Sequence, residues 1–238
     1  MTAPPRFRRS SDEEFPVDGS RFPETGNWQP ATSMTKIKIC GITREEDALF
    51  CSEQGADFLG FIFVPSTPRY VEPERAAAVA ARVREQEKHP KIVGVFRDAS
   101  NDYIRELHSL IGFDLVQLHG NETDANILDL GIPTVKTLRV GDDLPDTHGV
   151  PNAAWLLFDT YDERRAGGTG RRFDWSMLAK YERSKPFFLS GGINGDNVAA
   201  AISLVRPDAI DLASGVESEP GIKDHDKVAR LFERMRRQ

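Results

Sequence analysis

Two residues stand where their types and positions could do chemistry. Cys40 ends the run Lys36-Ile37-Lys38-Ile39-Cys40, directly before Gly41, and Asp159 ends the apolar run Trp155-Leu156-Leu157-Phe158. A thiol between a strand end and a helix N-terminus is favoured as thiolate by the helix dipole, which would move its pKa down from about 8.5. A carboxylate at the tip of an apolar strand is paired, solvated at a rim, or raised in pKa, and the last case suits a general acid. Each residue also has a plain reading, the cysteine as a small core hydrophobe and the aspartate as a structural ion-pair partner. Arg69, in "VPSTPRY", carries the planar fork that grips a carboxylate through two parallel hydrogen bonds, or else it makes a rim salt bridge. "LSGG" (189–192) and "ASG" (213–215) can present the backbone N–H groups of Gly191, Gly192, Ser214 and Gly215 beside a helix N-terminus, where a phosphate fits. Gln117 and His119 in "VQLHG" and Asp211 in "DAIDLASG" complete the polar set. His119, Cys40 and Asp159 match no recognised zinc spacing, so no metal is expected and His119 is read as a hydrogen-bonding or packing residue.

The elements that must position these groups repeat a strand-then-helix rhythm. Strands are predicted at 36–40, 57–64, 91–96, 114–120, 133–138, 154–160, 186–192 and 208–215. Helices are predicted at 43–55, 73–89, 101–111, 122–131, 173–181 (short), 194–205 and 224–238. Thr43 and Glu46 form a candidate capping box, and Gly55 a helix stop. Residues 141–152, "GDDLPDTHGVPN", are too rich in Gly, Pro and Asp for a helix, so the fifth connection is read as a loop or a single turn. Near-continuous apolar strands alternating with helices imply a parallel sheet buried on both faces. Eight such units predict an α/β fold, a single (β/α)8 TIM barrel with the fifth helix short or absent. An open doubly wound sheet would carry a G-x-G-x-x-G turn after its first strand, and here that turn is "CGIT". In a barrel the active site lies at the C-terminal strand ends, which is where every residue singled out above falls. "RRAGGTGRRFDW" (164–175) reads as a lid, and Cys51 as core.

Residues 1–34 stand apart. They hold Pro4, Pro5, Pro16, Pro23 and Pro30 with no apolar period, and are read as a disordered or loosely docked N-terminal arm before a catalytic barrel at 35–238. A formal net charge of −6 over 238 residues disfavours a nucleic-acid partner, which calls for a basic face. Two cysteines on one strand-turn-helix unit favour a reducing compartment over a disulfide framework. No run of about 18 apolar residues exists, and the acidic N-terminus lacks the marks of a signal or transit peptide. A cytoplasmic protein with no membrane partner is expected.

"KICGIT", "GADFLGFIF", "VGVF", "VQLHG", "FDT…GGTG…FDW", "LSGGIN" and "DLASGVE…PGIKD" occur in this order from Lys36 to the C-terminal region. They resemble the phosphoribosylanthranilate isomerase family of tryptophan biosynthesis. The resemblance implies an Amadori rearrangement of N-(5-phosphoribosyl)anthranilate to 1-(2-carboxyphenylamino)-1-deoxyribulose 5-phosphate, without a cofactor. It implies Cys40 as general base, Asp159 as general acid, Arg69 on the anthranilate carboxylate, and Gly191, Gly192, Ser214 and Gly215 on the phosphate. It admits association with neighbouring tryptophan-pathway enzymes. The competing readings are a related phosphosugar barrel enzyme, against which the cysteine at the first strand end speaks, and a non-catalytic phosphate-binding barrel or scaffold subunit.

Overall fold

The alternation of apolar runs closes on itself. The computed structural model describes residues 34–160 and 174–236. Eight parallel strands pair in chain order, and the eighth returns to the first. They are β1 (Lys36–Cys40), β2 (Phe58–Ile62), β3 (Lys91–Phe96), β4 (Leu115–Leu118), β5 (Thr134–Val140), β6 (Trp155–Thr160), β7 (Phe187–Leu189) and β8 (Ala209–Leu212). Helices α1 (Glu45–Gln54), α2 (Pro73–Arg84), α3 (Asn101–Ile111) and α4 (Asp124–Leu130) follow the first four strands, and α5 (Val198–Val205) follows β7. A hairpin of β9 (Glu217–Glu219) and β10 (Ile222–Lys223) then leads into α6 (His225–Arg236). The chain between β5 and β6 carries no helix, as its composition predicts. The short helix expected at 173–181 is a 3-10 segment, Trp175–Lys180, capped by the Asp174 carboxylate on the Ser176 N–H. The arm at 1–33 and the body of the loop read as a lid lie outside the described residues. Among the described residues no helix is long and apolar enough to cross a membrane.

Each strand buries both faces, which is why the runs read as continuously apolar. Outward residues such as Ile39, Leu59, Phe61, Leu156 and Phe158 join Val79, Leu107 and Leu231 of the helices in one large cluster. Inward residues form a second cluster in the barrel bore. There Phe58, Trp155 and Phe188 meet at ring-centroid distances of 6.2, 5.2 and 4.9 Å and fill part of the interior. Side chains alternate along each strand, so the inward set on β1 is Lys38 and Cys40. The register then fixes their neighbours. Lys38 stands beside Asp211 of β8, and Cys40 beside Gly60 of β2.

Two local expectations fare differently. Gly55 ends α1 in the left-handed region at φ 103°, as predicted. The Thr43–Glu46 capping box does not form. The helix begins at Glu45 after Arg44, and the Thr43 hydroxyl instead donates to the Gly221 carbonyl in the β9–β10 turn. That bond ties the first loop to the end of the chain. Asp47 repeats the tie, because its fully buried carboxylate accepts from Arg44, from the Lys223 N–H and from the ring of His225. Burial pushes the Asp47 carboxyl up, but Arg44, Lys223 and His225 together outweigh it and hold the group below its usual range.

Candidate active site

The strand ends surround a cavity of about 450 Å³. Its lining includes Cys40 from β1, Arg69 after β2, Gln117 and His119 at β4, Asp159 at β6, Gly191 and Gly192 after β7, and Asp211 and Ser214 at β8. Nine of the ten residues singled out in the sequence therefore converge on one mouth. Gly215 is the exception. It sits behind the wall, where a Cβ would collide with the Ile193 carbonyl. Its lack of a side chain lets the loops after β7 and β8 touch, and so places Ser214 beside the Gly191–Gly192 turn.

Asp159 is nearly buried. Its Oδ1 accepts from the Thr160 N–H at 2.9 Å, and its Oδ2 lies 3.5 Å from Nε2 of His119. His119 continues to Gln117, whose Nε2 is 3.4 Å from Nδ1 of the ring. Gln117 Oε1 in turn accepts from Lys38 Nζ at 2.8 Å, and Lys38 also donates to Asp211 Oδ1 at 2.8 Å. A polar chain thus runs through the upper bore from the β6 carboxylate to the β1 lysine. His119 is one of its links and not a packing residue. Among the described residues no group of three His, Cys, Asp or Glu is placed to hold a metal ion.

Cys40 is 5% exposed, and its thiol is pushed up, not down. Burial is the largest cause. Lys38 draws the value down, Asp211 pushes it up, and Lys223 draws it down, with burial prevailing. The dipole argument fails for a geometric reason. The α1 helix starts only at Glu45, and its first turn carries Glu45, Glu46 and Asp47, which take up its positive end.

Arg69 is held before any ligand arrives. Its Nη2 donates to Glu217 Oε2 at 2.6 Å, and its Nε lies 3.0 and 3.1 Å from the two carboxylate oxygens. Glu217 is itself buried and also accepts from Lys223 Nζ at 2.8 Å and from the Gly221 N–H at 3.2 Å. Burial pushes the Glu217 carboxyl up, but Arg69 and Lys223 outweigh it and keep it ionised, below its usual range. Lys223 also donates to the Cys40 carbonyl. Gly41 belongs to this arrangement. A Cβ there would lie 2.8 Å from Cδ of Arg69, and φ is +77°. The glycine thus makes room for the arginine stem.

Three residues of the site are not evident from the sequence. Lys38 had a signal, its place two residues before Cys40 on the same strand face. Glu217 and Lys223 fall within the motif "DLASGVE…PGIKD", but their roles depend on pairings across the whole chain and do not show in it.

The chain is similar to known proteins over this same span. Residues 37–234 match the family model described as N-(5'phosphoribosyl)anthranilate (PRA) isomerase. The N-(5'-phosphoribosyl)anthranilate isomerase of Geobacter sp. (strain M21) is 43% identical over 200 residues, 83% of this chain and 96% of the relative. That of Aquifex aeolicus (strain VF5) is 39% identical over 203 residues, 84% of this chain and 98% of the relative. The crystal structure of the Thermus thermophilus phosphoribosyl anthranilate isomerase superposes with a TM-score of 0.75 at 34% identity, covering 85% of this chain and 99% of that one. A phosphoribosyl anthranilate isomerase in complex with reduced 1-(o-carboxyphenylamino)-1-deoxyribulose 5-phosphate superposes with a TM-score of 0.72 at 35% identity, covering 86% and 100%. The chain belongs to the N-(5'-phosphoribosyl)anthranilate isomerase family, aldose–ketose isomerases (intramolecular oxidoreductases) of tryptophan biosynthesis.

Proposed function

We propose that Cys40 is the general base and Asp159 the general acid of an Amadori rearrangement that converts N-(5'-phosphoribosyl)anthranilate to 1-(2-carboxyphenylamino)-1-deoxyribulose 5-phosphate. The observation that carries this reading is the presence of both groups on one cavity, at the ends of β1 and β6, with Arg69 on the same rim. Asp159 protonates the ribose ring oxygen. The C1–O bond breaks, the anilino nitrogen supplies its lone pair, and a protonated Schiff base forms. That cation acidifies the proton on C2. Cys40 as thiolate removes it, the electron pair moves into a C1–C2 double bond, and an enolamine results. Tautomerisation returns a proton to C1 and leaves a ketone at C2. C2 is oxidised as C1 is reduced, so the atoms and electrons balance within the substrate.

The rest of the cavity suits the two ends of such a molecule. The substrate carboxylate meets the edge of the Arg69 guanidinium that Glu217 leaves open. The phosphate meets the Gly191–Gly192 turn and Ser214 at the neighbouring strand ends. Asp211, Gln117 and His119 face the sugar hydroxyls between them. The decisive experiment mixes purified protein with freshly made phosphoribosylanthranilate and follows loss of its fluorescence. Loss well above the buffer rate is expected, and a rate equal to buffer would defeat the reading.

Glu217 gives a separable prediction. Glu217→Gln weakens the anchor of Arg69, while its amide oxygen can still accept from Lys223 and so keep the tie to the Cys40 carbonyl. KM should rise about tenfold while kcat stays within about threefold, the pattern of lost ground-state binding. Steady-state kinetics on the variant checks it, and an unchanged KM would remove Glu217 from substrate binding.

A further inference from the structure

The bore of this barrel holds a charge that packing does not call for. Lys38 is 1% exposed, within an interior otherwise lined by Phe58, Val93, Leu115, Trp155 and Phe188. Burying an ammonium costs several kcal/mol, and a buried ion pair is often no more stable than the apolar side chains that could replace it. Stability alone is therefore a poor reason for a lysine here. Its position is specific. Two N–H groups go to Gln117 and Asp211, each at 2.8 Å. Cys40 is the next inward residue on the same strand, and the ammonium acts on its thiol electrostatically. Both side chains press on the same spot of β2, where a Cβ on Gly60 would lie 2.8 Å from Cys40 Sγ and 3.2 Å from Lys38 Cε.

We propose that Lys38 is a positioning residue that holds the negative charge formed on Cys40 when the thiol gives up its proton, and that Asp211 opposes it while fixing the ammonium in place. The proposal rests on the reading of Cys40 as the base. The Cys40 thiol is the favoured form, because burial outweighs Lys38. A base that is mostly protonated at rest needs a nearby cation to form at all, and Lys38 supplies it from below. The other charged groups around Cys40 are Lys223, bonded to its carbonyl, and Arg69, Arg97, His119 and Asp159 on the cavity wall. Of these, Lys38 and Asp211 act on the sulfur most directly, and with opposite sign.

That opposition makes a test that a merely structural role would not satisfy. Alkylation of Cys40 by iodoacetamide, read by mass spectrometry across pH in a Cys51→Ala background, reports the thiolate without requiring turnover. In that background, Lys38→Met should move the alkylation profile to higher pH and slow the reaction at pH 7.5 by about tenfold or more. Asp211→Asn should move the profile to lower pH. The pH–rate profile for kcat in Lys38→Met should shift in parallel with its alkylation profile, with KM little changed. If Lys38→Met proves too unstable, Lys38→Met/Asp211→Asn removes both buried charges and should alkylate more slowly than Asp211→Asn alone. Coincident profiles for Lys38→Met and parent, shifts of the same sign in the two single variants, or equal rates for the double variant and Asp211→Asn would each overturn the proposal. A shifted alkylation profile beside an unshifted rate profile would instead overturn Cys40 as the base, while the action of Lys38 on the thiol would stand.

Discussion

Cys40→Ser should fold as the parent does and isomerise phosphoribosylanthranilate at least about a thousandfold more slowly. The substitution is nearly isosteric in a buried position, so the barrel keeps its packing. A serine hydroxyl beside Lys38 still hydrogen-bonds, but it does not ionise in the accessible pH range and cannot take the C2 proton. The parent should carry a second mark of the thiolate. Burial sets the Cys40 thiol above its ordinary value, so at neutral pH only a minor fraction is in the active form. The rate at which iodoacetamide alkylates Cys40 in the parent should therefore climb with pH through the neutral and mildly alkaline range, where each step upward exposes more thiolate. Circular dichroism establishes the fold of the variant, and kcat for both proteins with the alkylation profile of the parent establishes the rest. A serine variant within tenfold of the parent would remove the thiol from the chemistry.

Asp159→Asn should lower kcat by about 10² to 10⁴, the usual worth of a positioned acid, with KM changed by no more than about threefold. The amide keeps the size of the side chain and can still accept from the Thr160 N–H as Oδ1 does now. It has no proton to give to the ring oxygen. Its contact with His119, 3.5 Å away, remains one between polar groups, so the polar chain toward Gln117 and Lys38 survives in outline. A variant that keeps a tenth of the parent rate would move the acid elsewhere. Stopped-flow traces at saturating substrate separate loss of chemistry from loss of binding.

The barrel is legible in the sequence because its strands are buried on both faces, so each announces itself as an unbroken apolar run. Even the missing fifth helix shows, since glycine, proline and aspartate in 141–152 have no helical use. Strand tips are less legible. The run predicted at 208–215 ends at Leu212, where Ala213 leaves the extended region at φ −122°, ψ −84° and the chain turns into Ser214–Val216. The candidate site is visible at residues whose type is unusual for their place, such as a cysteine before a glycine or an aspartate after four apolar residues. It is invisible where meaning depends on closure. The alternation in "KIKIC" looks like a strand with one wet face. Only the pairing of β1 with β8 turns that face inward and makes Lys38 a bore residue. The same holds for the Cys40 thiol. A local dipole argument moves it one way, and burial inside the closed barrel moves it the other. Thr43 was read through its neighbour three residues on, while its hydroxyl binds a carbonyl 178 positions away.

Lys223 touches the Cys40 carbonyl and Glu217 with one ammonium, and Glu217 grips Arg69. The arginine proposed to meet one end of the substrate is therefore tied, through Glu217 and Lys223, to the backbone of the proposed base. An effort to retune this barrel for a molecule without a carboxylate could not trade Arg69 away alone. It would leave Glu217 with surplus charge, loosen Lys223, and let the sulfur drift. Selectivity and turnover would decline together unless arginine, glutamate and lysine were redesigned as a single inheritable block.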